Sequence, residues 1–329
     1  MGLLVDGKWV DKWYDTDANK GRFERQASLY RNWITPDGSP GPDGGEAFPA
    51  EAGRYHLIVS LACPWAHRTL IFRAIKGLED LISVSVVQPL MLENGWEFSE
   101  DGDPLYGARF LHEFYTRVDP QATTRVTVPV LWDKQRETIV NNESAEIIRM
   151  LNSAFDHLTG NRDDYYPESL RSGIDAINKQ VYDTVNNGVY RAGFATTQEA
   201  YEEAYEALFA TLDELDQRLA ENRYLLGERI TEADWRLFTT LVRFDAVYFG
   251  HFKTNRQRIE DFAHLSGYLR DLYQQPGVAD TLNMTHIKQH YYGSHRNINP
   301  TGIVPLGPHI DFSRPHARAS LAAASRTSV

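Results

Sequence analysis

Residues 55–78 read YHLIVSLACPWAHRTLIFRAIKGL, and a change of period inside them decides the fold. Residues 55–62 form a short apolar, β-branched run of strand type, and Pro64 then takes a place that only the first turn of a helix tolerates. A helix is expected to start at Cys63-Pro64. Leu70, Ile71, Ala74 and Leu78 keep the spacing of a buried face, and Gly77 suits a C-terminal stop. Residues 82–87, ISVSVV, alternate as a strand does. Strand, helix and strand make a βαβ unit, whose crossover joins a parallel pair. Residues 126–132 (VTVPVLW) and 138–140 (TIV) are expected as two hairpin strands. A helix then begins near Glu143, with Ile147, Ile148 and Leu151 on one side. Residues 55–153 thus give β-α-β, a long irregular insertion at 88–125, and β-β-α, an order compatible with a thioredoxin-like domain.

Beyond this the period is helical. Leu170, Ile174, Ile177, Val181, Val185 and Val189 step as an amphipathic helix requires. A second helix is expected from Thr196, with Thr196 and Glu199 as a capping box, through Leu208, Leu212, Leu215 and Leu219. A third starts at Thr231 with Asp234 at its third position. The fold class is α/β plus all-α: a thioredoxin-like N-terminal domain followed by an all-helical C-terminal domain. The expected boundaries are an N-terminal arm with a Gly/Pro-rich loop at 1–54, the thioredoxin-like domain at 55–155, the helical domain at 156–292 and an irregular tail at 293–329. The arm ends in PDGSPGPDGG (36–45), which turns and cannot pack. It also carries Trp9, Trp13, Tyr14, Phe23, Tyr30 and Trp33, too many aromatics for a free tail, so it is expected to lie on a domain surface. The segment after Asp311 is expected to be mobile.

The chain has 329 residues, a net charge of −11, 42% hydrophobic residues and one cysteine. A single thiol excludes an internal disulfide, a dithiol redox pair, a cysteine-based zinc site and an iron–sulfur cluster. It fits a reducing, cytoplasmic setting. No leader pattern opens the sequence and no apolar run approaches the ~18 residues of a membrane span, so neither secretion nor membrane insertion is expected. The acidic balance, with no Lys/Arg stripe, argues against nucleic acid. No Walker loop or GxGxxG fingerprint points to a nucleotide. His286, His290 and His295 have metal-like spacing but lack the accompanying HExxH carboxylate, and no metal is expected.

Cys63 carries the chemistry. At a helix N-terminus the unpaired N–H groups and the dipole favour an anion, which can bring a cysteine pKa from ~8.5 toward ~3.5–7.5. His67 and Arg68, one turn on, are placed to add positive potential, or Arg68 points to solvent. A lone cysteine is otherwise an inert core residue; the Cys-Pro junction tips the reading to a nucleophile. Val128-Pro129 precedes a strand, where a cis peptide would leave the Val128 backbone for an extended ligand, or where Pro129 simply marks an edge. Glu143-Ser144 opens a helix and either holds a carboxylate there or only caps it.

These features together resemble the glutathione transferases. More narrowly, SLACPWAHR (60–68), ENGW (93–96), RVTVPVLWD (125–133), NNESAEIIRM (141–150), VNNGVYRAGFAT (185–196) and INPTGI (298–303) resemble the glutathionyl-hydroquinone reductases, the Xi class, over all but the extreme C-terminus. The resemblance implies glutathione as co-substrate, no metal, a homodimer, and Cys63 as nucleophile. It implies that Trp96, Arg125, Val126, Thr127, Val128, Glu143 and Ser144 bind glutathione, with Arg125 offering charge to a carboxylate. It further implies Tyr190 as proton donor, with Tyr248 and Tyr291 supporting the thiolate. From residues alone each tyrosine reads as core packing. Aromatic residues are abundant enough to line an aromatic-substrate pocket between the domains. Two other readings share the Cys-Pro start or the fold: an omega-like thioltransferase or dehydroascorbate reductase, and a non-catalytic transferase-like scaffold.

Overall fold

The computed structural model describes residues 2–42 and 44–321. The chain divides into two compact units, one comprising Met1–Trp13, Arg25–Asp163 and Asp280–Arg296, the other Tyr14–Glu24, Asp164–Ala279 and Asn297–Val329.

The first unit opens with strands β1 (Leu3–Val5) and β2 (Lys8–Val10), then β3 (Trp33–Thr35), β4 (Ala47–Pro49) and β5 (Tyr55–Val59). Helix α1 (Pro64–Ile75) and β6 (Ser83–Val86) complete the βαβ unit. The hairpin β7 (Met91–Leu92) and β8 (Gly95–Trp96), helix α2 (His112–Val118) and β9 (Thr124–Arg125) follow. Strands β10 (Val130–Asp133) and β11 (Thr138–Asn141) and helices α3 (Ser144–Ser153) and α4 (Asp156–Thr159) close the run. The central sheet has the order β11-β10-β5-β6. β5 runs parallel to β6 and antiparallel to β10, which pairs antiparallel with β11. Along the chain these elements keep the β-α-β, β-β-α order read from the sequence.

All five residues of β5 and all four of β10 are buried, as interior strands with both faces covered require. Helices α1 and α3 pack together, and Ile71, Phe72, Ile147 and Leu151 are fully buried. The insertion at 88–125 is not irregular: it holds β7, β8, α2 and β9, and β9 adds to β1 to make a second sheet, β2-β1-β9. The first part of the arm lies on this surface, with Trp9 stacked on His112 at 5.1 Å and its indole N–H donated to the Glu93 carbonyl at 2.8 Å.

The second unit is helical: α5 (Arg171–Val181), α6 (Gly188–Gly193), α7 (Gln198–Glu221), α8 (Glu232–Arg243), α9 (Phe249–His251) and α10 (Leu265–Tyr273). The long helix expected through Val189 is interrupted by a π-helical turn, Tyr182–Asn186, and a second π turn, Phe244–Tyr248, follows α8. The N-cap of α7 is Thr197, whose hydroxyl accepts from the Ala200 N–H at 3.3 Å. It is not Thr196, whose hydroxyl is bonded to that of Thr16 at 3.2 Å. The box at Thr231 is as read: Asp234 accepts from the Thr231 N–H at 2.8 Å, and also from the Leu225 N–H and the Tyr268 hydroxyl.

Helix α11 (Met284–Ser294) belongs to the first unit, although the sequence placed it within the helical domain of 156–292. The tail expected to be mobile is held at least to Arg318, which is buried and donates to the carbonyls of Leu219, Asn222 and Arg223. The remainder of that tail, 322–329, lies outside the described residues.

Candidate functional site

Cys63 is the N-cap residue of α1, in an extended conformation (φ −74°, ψ 122°), with Pro64 in the first turn. An N-cap side chain faces the unpaired N–H groups of the first turn. Here the Ala66 N–H donates to Sγ at 3.5 Å, and Sγ lies 3.7 Å from the Val128 carbonyl oxygen. The first contact favours a thiolate; the second gives the neutral thiol an acceptor. The Cys63 side chain is 9% exposed.

Pro64, Ala66, His67 and Arg68 are buried, and Trp65 is partly exposed. Arg68 donates to the Ser144 hydroxyl at 3.3 Å, and its guanidinium lies over the Trp65 ring at 4.7 Å. The start of α1 is thereby tied to the start of α3. The His67 ring bonds the Thr281 hydroxyl at 2.7 Å, linking α1 to the segment that leads into α11.

Val128-Pro129 is a cis peptide. The Val128 N–H has no hydrogen-bond partner among the described residues. The preceding residue is clamped by Tyr115: its hydroxyl donates to the Thr127 carbonyl at 2.8 Å and accepts from the Thr127 N–H at 3.2 Å. It also accepts from the Asn142 amide at 3.3 Å. Burial pushes the Tyr115 hydroxyl pKa up, with these hydrogen bonds opposing it. Sequence reading missed Tyr115 because it fell in a stretch taken as irregular.

Val126 and Val128 are buried, at 3% and 5% exposure, and Thr127 is partly exposed. The Arg125 guanidinium donates to the carbonyls of Lys12 at 2.6 Å and Trp13 at 3.2 Å. Glu143 is the N-cap of α3, accepting from the Ala145 N–H at 3.1 Å and the Ser28 hydroxyl at 3.1 Å. Ser144 is buried beside it. Trp96, in β8, is 5% exposed and stacks on His290 with centroids 4.9 Å apart. Tyr291, next to His290 in α11, meets the His295 ring edge-on at 5.5 Å. Among the described residues no group of three His, Cys, Asp or Glu side chains is placed to hold a metal ion.

The first unit therefore contains Cys63, Trp96, residues 125–128, Glu143, Ser144 and Tyr291. Tyr190 and Tyr248 lie in the second unit, their rings 6.0 Å apart. Both are buried, Tyr190 in α6 just after the first π turn and Tyr248 at the end of the second. π turns recur at functional sites. Phe252 stacks on Tyr248 at 5.5 Å and meets Tyr190 at 5.5 Å.

Residues 62–154 match the family model for the glutathione S-transferase N-terminal domain, and residues 198–271 match that for the C-terminal domain. The glutathionyl-hydroquinone reductase YqjG of Escherichia coli K12 is 59% identical, over 97% of this chain and 98% of that protein. The chain belongs to the glutathione transferase family. The glutathione-bound structure of YqjG superposes with a TM-score of 0.89 at 55% identity, covering 97% and 99% of the two chains. A Xi-class transferase from Natrialba magadii gives a TM-score of 0.90 at 51% identity, covering 98% of each. The glutathionyl-hydroquinone reductase PcpF of Sphingobium chlorophenolicum is 56% identical over 94% of this chain and 96% of its own length. The Cys-Pro helix start and the cis Val128-Pro129 loop of this glutathione transferase thus lie within the N-terminal family domain. The capped helix α8 lies within the C-terminal one.

Proposed function

We propose that this chain is a glutathionyl-hydroquinone reductase: it reduces S-glutathionyl hydroquinones to free hydroquinones and releases glutathione disulfide. The observation that carries the reading is a lone thiol, Cys63, capping a helix and accepting the Ala66 N–H at 3.5 Å. The Cys63 thiolate attacks the sulfur of the conjugate. The carbon–sulfur bond breaks, its electron pair leaves on the aromatic carbon as an enolate-like anion, and Tyr190 supplies the proton. A Cys63–glutathione disulfide remains. With no second cysteine in the chain, an external glutathione thiolate must attack that disulfide, giving glutathione disulfide and free Cys63 in a ping-pong cycle.

Glutathione is held by Trp96, residues 125–128 and the α3 start at Glu143 and Ser144. The Val128 N–H, without a partner among the described residues, supports this, since an extended peptide pairs with such an edge. Tyr248 and Tyr291 support the thiolate. Arg125 also ties the arm to this loop through its contacts to the Lys12 and Trp13 carbonyls. The cycle balances without a metal or a nucleotide, and the protein works as a cytoplasmic homodimer. No described helix is long and apolar enough to cross a membrane.

Intact mass spectrometry after one equivalent of a glutathionyl-hydroquinone tests it. A single glutathione adduct on Cys63 with released hydroquinone is expected. An unaltered conjugate, with dehydroascorbate or a glutathionylated peptide turned over instead, overturns the assignment in favour of an omega-like thioltransferase.

A further inference from the structure

The segment Asp280–Arg296 belongs with the thioredoxin-like unit, and its contacts there converge on Trp96. His290 is 6% exposed and lies against the Trp96 indole, centroids 4.9 Å apart and planes 22° from parallel. Its Nδ1 is 3.0 Å from the Pro89 carbonyl, which can only accept, so this nitrogen carries the proton. One turn on, the Ser294 hydroxyl accepts the Met91 N–H at 3.0 Å. Gly293 lies so close to Leu90 that a Cβ there would come within 2.5 Å of its side chain. The hairpin of β7 and β8 is therefore fastened to α11 at the start of its first strand, and the imidazole is fixed in orientation before it meets the indole. The Trp96 ring is 5% exposed, yet its indole N–H has no acceptor among the described residues. A buried ring stacked on a fixed partner, with its donor unspent, is a preorganised ligand contact.

We propose that His290 is a positioning residue for glutathione binding: it does not touch the peptide but sets the plane of Trp96, and with it the direction of the indole N–H. The inference rests on the reading of Trp96 as a glutathione contact. A stacked ring pair contributes enough beyond buried area for its loss to read as roughly a three- to tenfold change in affinity.

Calorimetric Kd values for reduced glutathione, together with KM and kcat, on wild type, Trp96→Ala, His290→Ala and His290→Phe decide it. His290→Ala is expected to weaken glutathione roughly three- to tenfold, with the loss falling on Kd and KM rather than kcat, and His290→Phe, which keeps a ring, to recover most of it. Because Phe preserves volume, it keeps the comparison available if Ala disturbs folding. Wild-type affinity in His290→Ala alongside a weakened Trp96→Ala overturns the role of His290. So does a Phe variant as weak as the Ala variant. Unchanged affinity in Trp96→Ala instead removes the glutathione assignment of Trp96 itself, and this inference with it.

Discussion

The Sγ of Cys63 lies 3.7 Å from the carbonyl oxygen of Val128. That contact joins the two features that distinguish the thioredoxin-like unit, the capped start of α1 and the loop at the cis Val128-Pro129 bond. A neutral thiol satisfies the carbonyl by donating to it. Once ionised the sulfur keeps only acceptor capacity and depends on the Ala66 N–H and the end of the helix. Cys63→Ser retains both contacts with a smaller, far weaker nucleophile. Turnover of a glutathionyl-hydroquinone is expected to fall by at least about a thousandfold, as for other removed nucleophiles, while the melting temperature stays within a few degrees. Steady-state assay beside differential scanning calorimetry reads both; substantial residual turnover in the serine variant ends the nucleophile assignment.

Tyr115 holds the loop on the other side of that contact. Its one hydroxyl serves the Thr127 carbonyl, the Thr127 N–H and the Asn142 amide. Tyr115→Phe leaves three partly buried groups without their partner, a cost of about 1–3 kcal/mol. The expected result is a lower urea midpoint with an unchanged slope and a severalfold higher KM for glutathione, because the Val128 main chain loses its support. A variant that loses stability but binds glutathione as wild type does would separate the clamp from the binding loop.

The contrast between Cys63 and Tyr115 explains what the sequence discloses. The Cys63-Pro64 junction is local chemistry: a cap, a proline and a change of period within twelve residues, all visible in one window. The elements of 88–125 are not local. Two-residue strands and the seven-residue α2 carry no measurable period. They are held by partners far along the chain, such as Trp9 with Glu93 and Leu3 with Arg125. The α7 cap shows the same limit on a smaller scale. Thr196 and Thr197 are equal candidates by residue type, and the choice is made by Thr16, which occupies the Thr196 hydroxyl from about 180 positions away. The π turns at 182–186 and 244–248 are announced by no apolar period, and the residues alone read Tyr190 and Tyr248 as core packing, which fits their burial.

His56 gives the first unit a predictable response to acid. It stands in β5 between the hydroxyls of Ser83 and Ser85, 2.7 Å from each, and is almost fully buried. Burial, assisted by the charge of Lys134, pushes its pKa down to about 4. The folded state therefore stays neutral at a pH where the unfolded chain is already protonated. Stability from this group is complete above the unfolded value near 6.5 and is lost as pH falls toward 4, by up to roughly 2–3 kcal/mol. His56→Gln keeps polar contact with the serines but does not titrate. The stability difference between wild type and His56→Gln, from urea midpoints at pH 7.5, 6 and 4.5, is expected to move steadily against the wild type as pH falls. A difference independent of pH contradicts the assignment.

Arg318 makes the far end of the chain part of the helical unit. Its guanidinium donates to the carbonyls of Leu219, Asn222 and Arg223 at the C-terminus of α7, where the last four carbonyls lack helical partners and the dipole is negative. Burial lowers its pKa, with Asp271 opposing, yet an arginine remains charged throughout the working range. Charge-assisted bonds to otherwise unpartnered carbonyls are worth about 1.5–3 kcal/mol. Arg318→Ala is therefore expected to destabilise the protein by that order. Arg318→Lys, which keeps the charge but not the planar fork, is expected to recover less than half. Hydrogen exchange should show faster opening at the C-terminal turn of α7, around 218–221, with the β5 and β10 amides of the other unit unaffected. If both variants melt with wild type and α7 exchanges no faster, the tail is only lying on the helix and does not hold it.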